Sequence, residues 1–262
     1  MPDIHPTAIV EDGARIDKSV SIGPFCVIGK GVSIAANVKI HSHVVIDGKT
    51  SIGEGNTIFP FSSIGMIPQD KKYAGEESSL IIGDNNVIRE HVTMNSSTSG
   101  GGNTTHIGSR GLYMVGVHIA HDCIIGDDVI LANNATVAGH CVVSNHVILG
   151  GLCALHQFVR IGEFAFVGGM TGVEADIIPF GMALGNRAYL AGLNLVGMRR
   201  DDIPREQIHA VRNAYKKLFA DEGTLMERVE LVDQEYQDDV SVQKIIGFIK
   251  AASDRSFCVP QK

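Results

Sequence analysis

Aliphatic residues return at every sixth position through most of the chain. The first block runs in steps of six from Ile4 to Ile64, and the pattern resumes at Ile82 and Ile88. After a one-residue shift it continues from Ile107. This spacing matches neither the 3.6-residue period of a helix nor the two-residue alternation of a strand. It predicts short strands joined by tight corners, in a solenoid whose turns bury one another.

A second series of small or β-branched residues lies four positions after each aliphatic residue. Its members include Ala8, Val20, Cys26, Val38, Val117, Cys123, Ala135, Cys141, Cys153 and Val159. Such side chains suit a buried, pleated wall. We therefore predict a parallel β-helix with three repeats, or about eighteen residues, per coil. Both series should face the interior, and residues such as Gly126 and Asn134 should occupy corners that need positive φ.

The six-residue pattern fails in two segments, which we expect to loop out of the coils. Residues 66–80 carry Asp70 and Glu76 where inward aliphatic residues should stand. Residues 95–105 are rich in Gly and Ser and are therefore expected to be flexible. Long loops in a tightly wound fold are commonly functional.

The spacing becomes helical near the C-terminus. Pro204 is suited to begin a helix, Thr224 stands at the start of a capping-box sequence, and Ser241 is expected to cap the last helix. We predict two domains: a β-helix over residues 1–186 and a small α-helical domain over residues 187–262.

Bulk properties exclude several classes of protein. The 262 residues carry a net charge of −7, which argues against nucleic acid as the main partner. No apolar run approaches the roughly 20 residues that cross a bilayer, and the N-terminus lacks the pattern of a secretion signal. We expect a cytoplasmic protein. Four of the five cysteines fall in the inward series, so neither a disulfide framework nor a catalytic thiol is expected.

Five of the eleven histidines lie in one region of the predicted β-helix. They are His118, His121, His140, His146 and His156. Residues one coil apart stack at about 4.8 Å. One coil after His121 comes Gly139, beside His140, and the next coil brings Gln157, beside His156. None of these residues is in an inward series, so we expect their side chains to point outward along one edge.

A cluster of neutral imidazoles suits activation of a hydroxyl group near neutral pH. Asp122 could fix the tautomer of His121, and the Gly139 N–H could face a developing oxyanion. Solvent-exposed histidines are the simpler alternative. A metal site is less favoured, because the cysteines face inward and His118 and His121 need not converge. No serine is fixed near His121, so we favour direct transfer from a bound donor and predict no metal or cofactor.

Several segments together resemble the acyl-carrier-protein–UDP-N-acetylglucosamine O-acyltransferases of lipid A biosynthesis. They are residues 69–75, 118–123, 131–136, 138–140, 156–158 and 212–216. The resemblance covers nearly the whole chain. It implies an all-β left-handed parallel β-helix followed by a small α-helical domain. It also implies a homotrimer with active sites at subunit interfaces.

The resemblance further implies transfer of an (R)-3-hydroxyacyl chain from acyl carrier protein to the glucosamine 3-hydroxyl of UDP-N-acetylglucosamine. His121 is then the general base, Asp122 orients it, and the Gly139 N–H serves the oxyanion. The implied sugar and acyl-donor pockets contain Gln69, Asp70, Lys72, His118, His140, His156 and Gln157. Asn194 and Arg200 are assigned to the nucleotide, and Gly169 to the limit on acyl length. The Asp70 segment is expected to reach His121 of a neighbouring subunit.

Two positions depart from the family pattern, and other functions stay open. Asn95 and Arg187 stand where some members carry a histidine. The nearest alternatives are a related hexapeptide-repeat enzyme, either the later N-acyltransferase or a sugar acetyltransferase using coenzyme A. The N-acyltransferase should carry an extra N-terminal domain, which does not fit before Ile4. A non-catalytic scaffold or a metal-dependent hydratase on the same fold is also possible.

Overall fold

Short parallel strands build a three-sided β-helix in the computed structural model, which describes residues 1–261. Successive strands enter the three sheets in turn, so three strands complete one coil. Each strand pairs in parallel with the strand one coil away. This is the architecture that the six-residue pattern predicts.

Most strands are two residues long, and they form sheets of 11, 9 and 8 strands. The first sheet contains Asp3–Ile4, Ser21–Ile22, Lys39–Ile40, Thr57–Ile58, Val87–Ile88, Leu112–Tyr113, Ile130–Leu131, Ile148–Leu149, Phe166–Val167, Gly181–Leu184 and Tyr189–Leu193. The second contains Ile9–Val10, Val27–Ile28, Val45–Ile46, Ser63–Met66, Thr93–Asn95, His118–Ile119, Thr136–Val137, Ala154–Leu155 and Gly172–Val173. The third contains Arg15–Ile16, Ser33–Ile34, Lys49–Ile52, Ser79–Ile82, Thr104–Ile107, Ile124–Ile125, Val142–Val143 and Arg160–Ile161.

The register confirms the predicted coil length. Ile22 stands opposite Ile40, eighteen residues later, in the first sheet. Ile58 pairs with Ile88 across residues 66–80. Ile82 pairs with Ile107 across residues 95–105. Residues 67–78 and 96–103 therefore leave the coils, whereas the ends of both segments belong to strands of the parallel ladder.

The two predicted inward series form the core. Ile28, Ile46 and Ile64 of the aliphatic series are fully buried. Cys141 and Cys153 of the small series are buried as well, and burial raises the pKa of each thiol to about 12. These cysteines are small core residues, because burial disfavours the reactive thiolate.

Corner residues stack from coil to coil in the left-handed region of φ. One corner holds Asp122, His140 and Phe158, and the next holds Asp128, His146 and Phe164, with φ between 56° and 67°. We call these sets the 122 column and the 128 column. Asn134 has positive φ as predicted, whereas Gly126 does not. The corner position, held by coil-to-coil hydrogen bonds, decides which residue adopts this conformation.

A pair of antiparallel strands precedes the C-terminal helices, and the first helix begins before Pro204, the residue expected to begin a helix. Gly181–Leu184 and Tyr189–Leu193 form an antiparallel pair that extends the first sheet. The four helices follow as α1 (Leu195–Arg200), α2 (Arg205–Leu218), α3 (Leu225–Glu235) and α4 (Val240–Lys250). Residues 187–194 are thus not helical, because the second strand of this pair completes the ladder.

The helix starts are explained by their capping residues. Thr224 forms the predicted capping box with Glu227. The last helix is capped by Asp239, whose side chain accepts from the Val242 N–H at 2.9 Å. The predicted cap, Ser241, instead donates its hydroxyl to Gln207 Oε1. Within residues 1–261, no helix combines the length and apolar character needed to cross a membrane.

Candidate active site

The 122 column and the residue before it, His121, bring two histidines and a carboxylate together. His121 Nδ1 lies 2.7 Å from Asp122 Oδ2, and His140 Nε2 lies 3.6 Å from the same oxygen. The two imidazole rings meet edge to face with their centroids 5.2 Å apart. Stacking of coils therefore brings His121 and His140 onto one corner, as the sequence predicts.

His121 is buried, which the six-residue pattern does not predict. Only 3% of its side chain is exposed, and residues 95–105 cover its partner, Asp122. The Thr98 N–H donates to Asp122 Oδ1 at 2.9 Å, and the Thr98 hydroxyl donates to Oδ2 at 2.7 Å. A Cβ on Gly101 would lie 2.1 Å from Asp122 Cγ, so only glycine permits this approach. The segment expected to be flexible is held by Asp122.

These contacts determine the tautomer of His121. Both oxygens of Asp122 already accept hydrogen bonds from Thr98. The 2.7 Å contact with His121 is therefore donated by the Nδ1–H of the imidazole. Nε2 is then the unprotonated nitrogen and can accept a proton from a ligand.

Gly139 lies against the unprotonated edge of the His121 ring. A Cβ at this position would stand 2.6 Å from Cε1 and 2.7 Å from Nε2 of His121. Within residues 1–261, the Gly139 N–H donates no hydrogen bond to the protein. A free donor beside a proton acceptor is an arrangement suited to an oxyanion formed at the attacked carbon.

His118 and His140 are neutral members of the cluster. Burial lowers the pKa of His118, and the nearby His121 acts in the same direction. The His118 ring also shares a 2.7 Å hydrogen bond with the Thr93 hydroxyl. Burial likewise lowers the pKa of His140, more than the charge of Asp122 raises it. Both rings therefore act as hydrogen-bonding groups rather than as cations near neutral pH.

The loop of residues 66–80 carries charges that act on His140 of the same chain. The charge of Asp70 raises the pKa of His140, and that of Lys72 lowers it. Asp70 accepts from the Lys72 N–H at 2.9 Å, and the neighbouring Gln69 is exposed. The expected contact between this loop and His121 of a neighbouring subunit stays a prediction.

The two loops over the corner hold each other. Asn95 is buried and donates to the Ile67 carbonyl at 3.0 Å. The Ser99 N–H donates to Glu76 Oε1 at 3.3 Å. Asn95 thus fixes the start of the first loop, at the position where some family members have a histidine.

His156 and Gln157 lie one coil beyond His140, and both are exposed. Phe158 stacks on the His140 ring, with centroids 4.5 Å apart and planes 6° apart. His156 Nδ1 lies 2.6 Å from Nη2 of Arg255 in the C-terminal segment. No sequence signal pointed to Arg255, because the segment around it has no repeat that fixes its position in space.

Gly169, Asn194 and Arg200 stand apart from this cluster. Gly169 is exposed, and a Cβ there would lie 3.1 Å from the Gly151 carbonyl oxygen. Asn194 caps α1 by accepting from the Gly197 N–H, and it donates to the Phe164 carbonyl. Arg200 is exposed in the last turn of α1. The nucleotide contacts assigned to Asn194 and Arg200 stay predictions.

The cluster of His121, Asp122 and His140 also tests the metal alternative. Ligand atoms of His121, Asp122 and His140 lie within 4.8 Å of one another. Two ligands at 2.0–2.1 Å from a tetrahedral zinc ion would be about 3.3 Å apart. The 2.7 Å between His121 Nδ1 and Asp122 Oδ2 is instead a hydrogen-bond distance. The geometry fits a base oriented by a carboxylate better than it fits zinc.

Family models match both parts of the chain. The "Bacterial transferase hexapeptide (six repeats)" model matches residues 7–42. The "UDP N-acetylglucosamine O-acyltransferase, domain 2" model matches residues 176–258. The β-helix and the C-terminal region thus resemble parts found together in one kind of transferase.

Full-length relatives agree with these matches. The acyl-[acyl-carrier-protein]–UDP-N-acetylglucosamine O-acyltransferase of Rhizobium johnstonii is 46% identical over 259 residues, covering 99% of this chain and 95% of the relative. The enzyme of the same name from a Sulfurovum species is 51% identical over 252 residues, covering 96% of both chains. The crystal structure of UDP-N-acetylglucosamine O-acyltransferase from Moraxella catarrhalis superposes with a TM-score of 0.95 at 43% identity, covering 98% of this chain and 99% of that one. The predicted left-handed parallel β-helix with a helical C-terminal domain is confirmed.

Proposed function

This chain belongs to the family of acyl-[acyl-carrier-protein]–UDP-N-acetylglucosamine O-acyltransferases, and from this membership we propose its reaction. It transfers an (R)-3-hydroxyacyl chain from acyl carrier protein to the glucosamine 3-hydroxyl of UDP-N-acetylglucosamine, as the first step of lipid A biosynthesis. The observation that carries the mechanism is the buried His121–Asp122 pair beside the free Gly139 N–H.

His121 acts as the general base. Its Nε2 takes the proton of the sugar 3-hydroxyl while that oxygen attacks the thioester carbonyl of the donor. Asp122 stabilises the imidazolium that forms, and the Gly139 N–H donates to the oxyanion. When the tetrahedral intermediate collapses, the carbon–sulfur bond breaks. The proton on His121 then passes to the departing thiolate of the carrier protein.

The remaining site residues bind the two substrates. We assign Gln69, Asp70, Lys72, His118, His140, His156 and Gln157 to the sugar and acyl-donor pockets. Neutral His118 and His140 suit hydrogen bonds to hydroxyl and carbonyl groups, because their pKa values are lowered. Asn194 and Arg200 are assigned to the nucleotide, and Gly169 to the end of the acyl chain.

The proposal includes a homotrimer whose active sites lie between subunits. One corner of the β-helix presents large apolar side chains to solvent, which supports association. They are Phe25, Phe61, Leu152 and Met170, each more than half exposed. The proposal also places the enzyme in the cytoplasm.

An acyl-transfer assay tests the function. Purified protein is mixed with UDP-N-acetylglucosamine and a panel of 3-hydroxyacyl carrier proteins of different chain lengths, and the product is identified by mass spectrometry. The proposal expects a 3-O-acylated sugar nucleotide. Transfer only from acetyl-coenzyme A would support the sugar acetyltransferase instead, and stoichiometric zinc in the purified protein would support the hydratase.

The same panel tests the role of Gly169. Replacement of Gly169 by Met should shift the preferred donor toward shorter chains, because the added side chain would fill space at the end of the pocket. An unchanged chain-length profile would remove Gly169 from the site.

A further inference from the structure

The C-terminal segment returns to the β-helix after α4 and lies along its last coil. We call residues 253–259 the strap. The Asp176 N–H donates to the Ser256 carbonyl at 2.8 Å, and the Cys258 N–H donates to the Asp176 carbonyl at 2.8 Å. The Leu190 N–H donates to the Val259 carbonyl at 3.0 Å. The strap is therefore hydrogen-bonded to the coil at both ends.

A buried carboxylate fixes the strap in register. Asp176 is fully buried, and its Oδ2 accepts from Arg160 Nε at 2.7 Å. The same oxygen accepts from the Ser253 hydroxyl at 2.6 Å, and that hydroxyl accepts from the Arg255 N–H at 3.0 Å. The position of the Arg255 backbone is thus set by the core of the last coil.

From this position Arg255 reaches the exposed His156–Gln157 pair. Its Nη2 lies 2.6 Å from His156 Nδ1, and its Nε donates to the Gln157 carbonyl at 3.0 Å. One guanidinium therefore spans two acceptors on the outer corner, as its planar fork allows.

The contact decides which nitrogen of His156 carries the proton. His156 Nδ1 also lies 3.3 Å from the Gln157 carbonyl, a contact that would need a proton on Nδ1. The guanidinium is closer and has donors only, so Nδ1 must be the acceptor. The Gln157 oxygen then receives its hydrogen bond from Arg255 instead.

We propose that Arg255 is a positioning residue that holds His156 as the neutral tautomer protonated at Nε2. His156 then offers an N–H donor to a carbonyl or phosphate oxygen of a substrate. His121 has the opposite tautomer, with Nδ1 protonated and Nε2 open. Coils two turns apart therefore present one imidazole that accepts a proton and one that only donates a hydrogen bond. The substrate contact rests on the proposed function, whereas the tautomer does not.

Long-range ¹H–¹⁵N spectra of histidine-labelled protein without substrate measure the tautomer. Comparison with His156→Gln assigns the His156 signals. We expect an unprotonated Nδ1 and a protonated Nε2 in the wild type, and a mixture of tautomers in Arg255→Met. A protonated Nδ1 in the wild type, or identical His156 signals in Arg255→Met, would overturn the inference. Because no substrate is present, this result stands even if the acyl-transfer assay fails.

Kinetics then test the positioning role. Arg255→Met should raise KM by about tenfold with kcat changed by less than about threefold, because a contact with bound substrate weakens. Arg255→Lys keeps a hydrogen-bond donor, so its KM should lie between those of the wild type and Arg255→Met. Equal KM values for the two variants would contradict the positioning role. Arg110→Met is the matched control, since Arg110 pairs with exposed Asp127 and Asp128 on another corner. Thermal unfolding of each variant shows whether the fold is as stable as in the wild type. An unchanged Tm separates the effect on KM from detachment of the strap.

Discussion

The 122 column and the 128 column contain the same three residue types in the same order. Each stacks an aspartate, a histidine and a phenylalanine on consecutive coils, all in the left-handed region. The His140–Phe158 and His146–Phe164 rings are both stacked with centroids 4.5 Å apart. The β-helix therefore builds this arrangement at one corner as readily as at the next.

The surroundings make the two columns different. Asp128 pairs with Arg110 at 2.7 Å and is 31% exposed, whereas the Asp122 side chain is fully buried under Thr98. The 128 column faces the helical domain, where His146 Nδ1 lies 3.9 Å from Asp201.

The residue before each corner also differs. In the 122 column, His121 precedes Asp122 and Gly139 precedes His140. In the 128 column, Asp127 precedes Asp128 and Asn145 precedes His146. Stacking of the coils brings the side chains close together. The residue before each corner position and the loop that covers it determine what those side chains can do chemically.

The largest effect on kcat is expected from replacing one histidine beside the 122 column, compared with the same change in the 128 column. His121→Ala should lower kcat by about 10²–10⁴, because it removes the proposed general base for the sugar hydroxyl. The matched change His146→Ala should leave kcat within about twofold, since that ring contacts no proposed substrate group. Steady-state acyl transfer measures both, and thermal unfolding should show that both proteins remain folded. Equal activity of the two variants would place the chemistry elsewhere.

Gly139→Ala should have the next largest effect. The added Cβ would stand 2.6 Å from His121 Cε1, so the ring must shift, and kcat should fall by about 10²-fold. Gly247→Ala is the control, because a Cβ there meets no atom within 4 Å. A Gly139→Ala enzyme with normal kcat would show that His121 tolerates displacement.

The covering loop should contribute less than the base. Thr98→Val removes the hydroxyl that donates to Asp122 Oδ2 but keeps the backbone donor. We expect kcat to fall by roughly three- to tenfold and stability by about 1 kcal/mol, the usual contribution of one hydrogen bond. Denaturant unfolding and kinetics measure the two quantities. Thr57→Val, on a strand remote from this loop, should change neither kcat nor stability. Equal kcat and equal stability of the two valine variants would show that the loop does not support the site.

The smallest effect concerns pH and the buried histidines. Because burial lowers the pKa of His118 and His140, the folded protein binds fewer protons than the unfolded chain. The stability that these neutral, buried rings contribute is complete above the ordinary histidine pKa of about 6.5. It is lost as pH falls through the lowered pKa values of the folded protein. His118→Gln should therefore reduce the drop in Tm between pH 7.5 and pH 5.5. The exposed residue His209 offers a control, since His209→Gln should leave that drop unchanged.

Much of the site could be predicted because a coil repeats a fixed number of residues. Simple addition along the chain brings His121, Gly139 and His140 together, and the structure confirms their proximity. The burial of His121 could not be predicted in this way. Nor could that of its partner Asp122, which depends on Thr98 and Gly101 in a segment without periodicity that meets Asp122 only after folding.

Sequence alone determined the coils, their register and the inward faces of the wall, because each of these follows from a short-range repeat. It also determined the corner on which the histidines meet. Tertiary structure alone decided which of two similar corners is covered, which nitrogen of His121 and of His156 is protonated, and that Arg255 reaches His156 across nearly one hundred residues. Those outcomes depend on hydrogen bonds between segments distant along the chain, and no local pattern encodes such contacts.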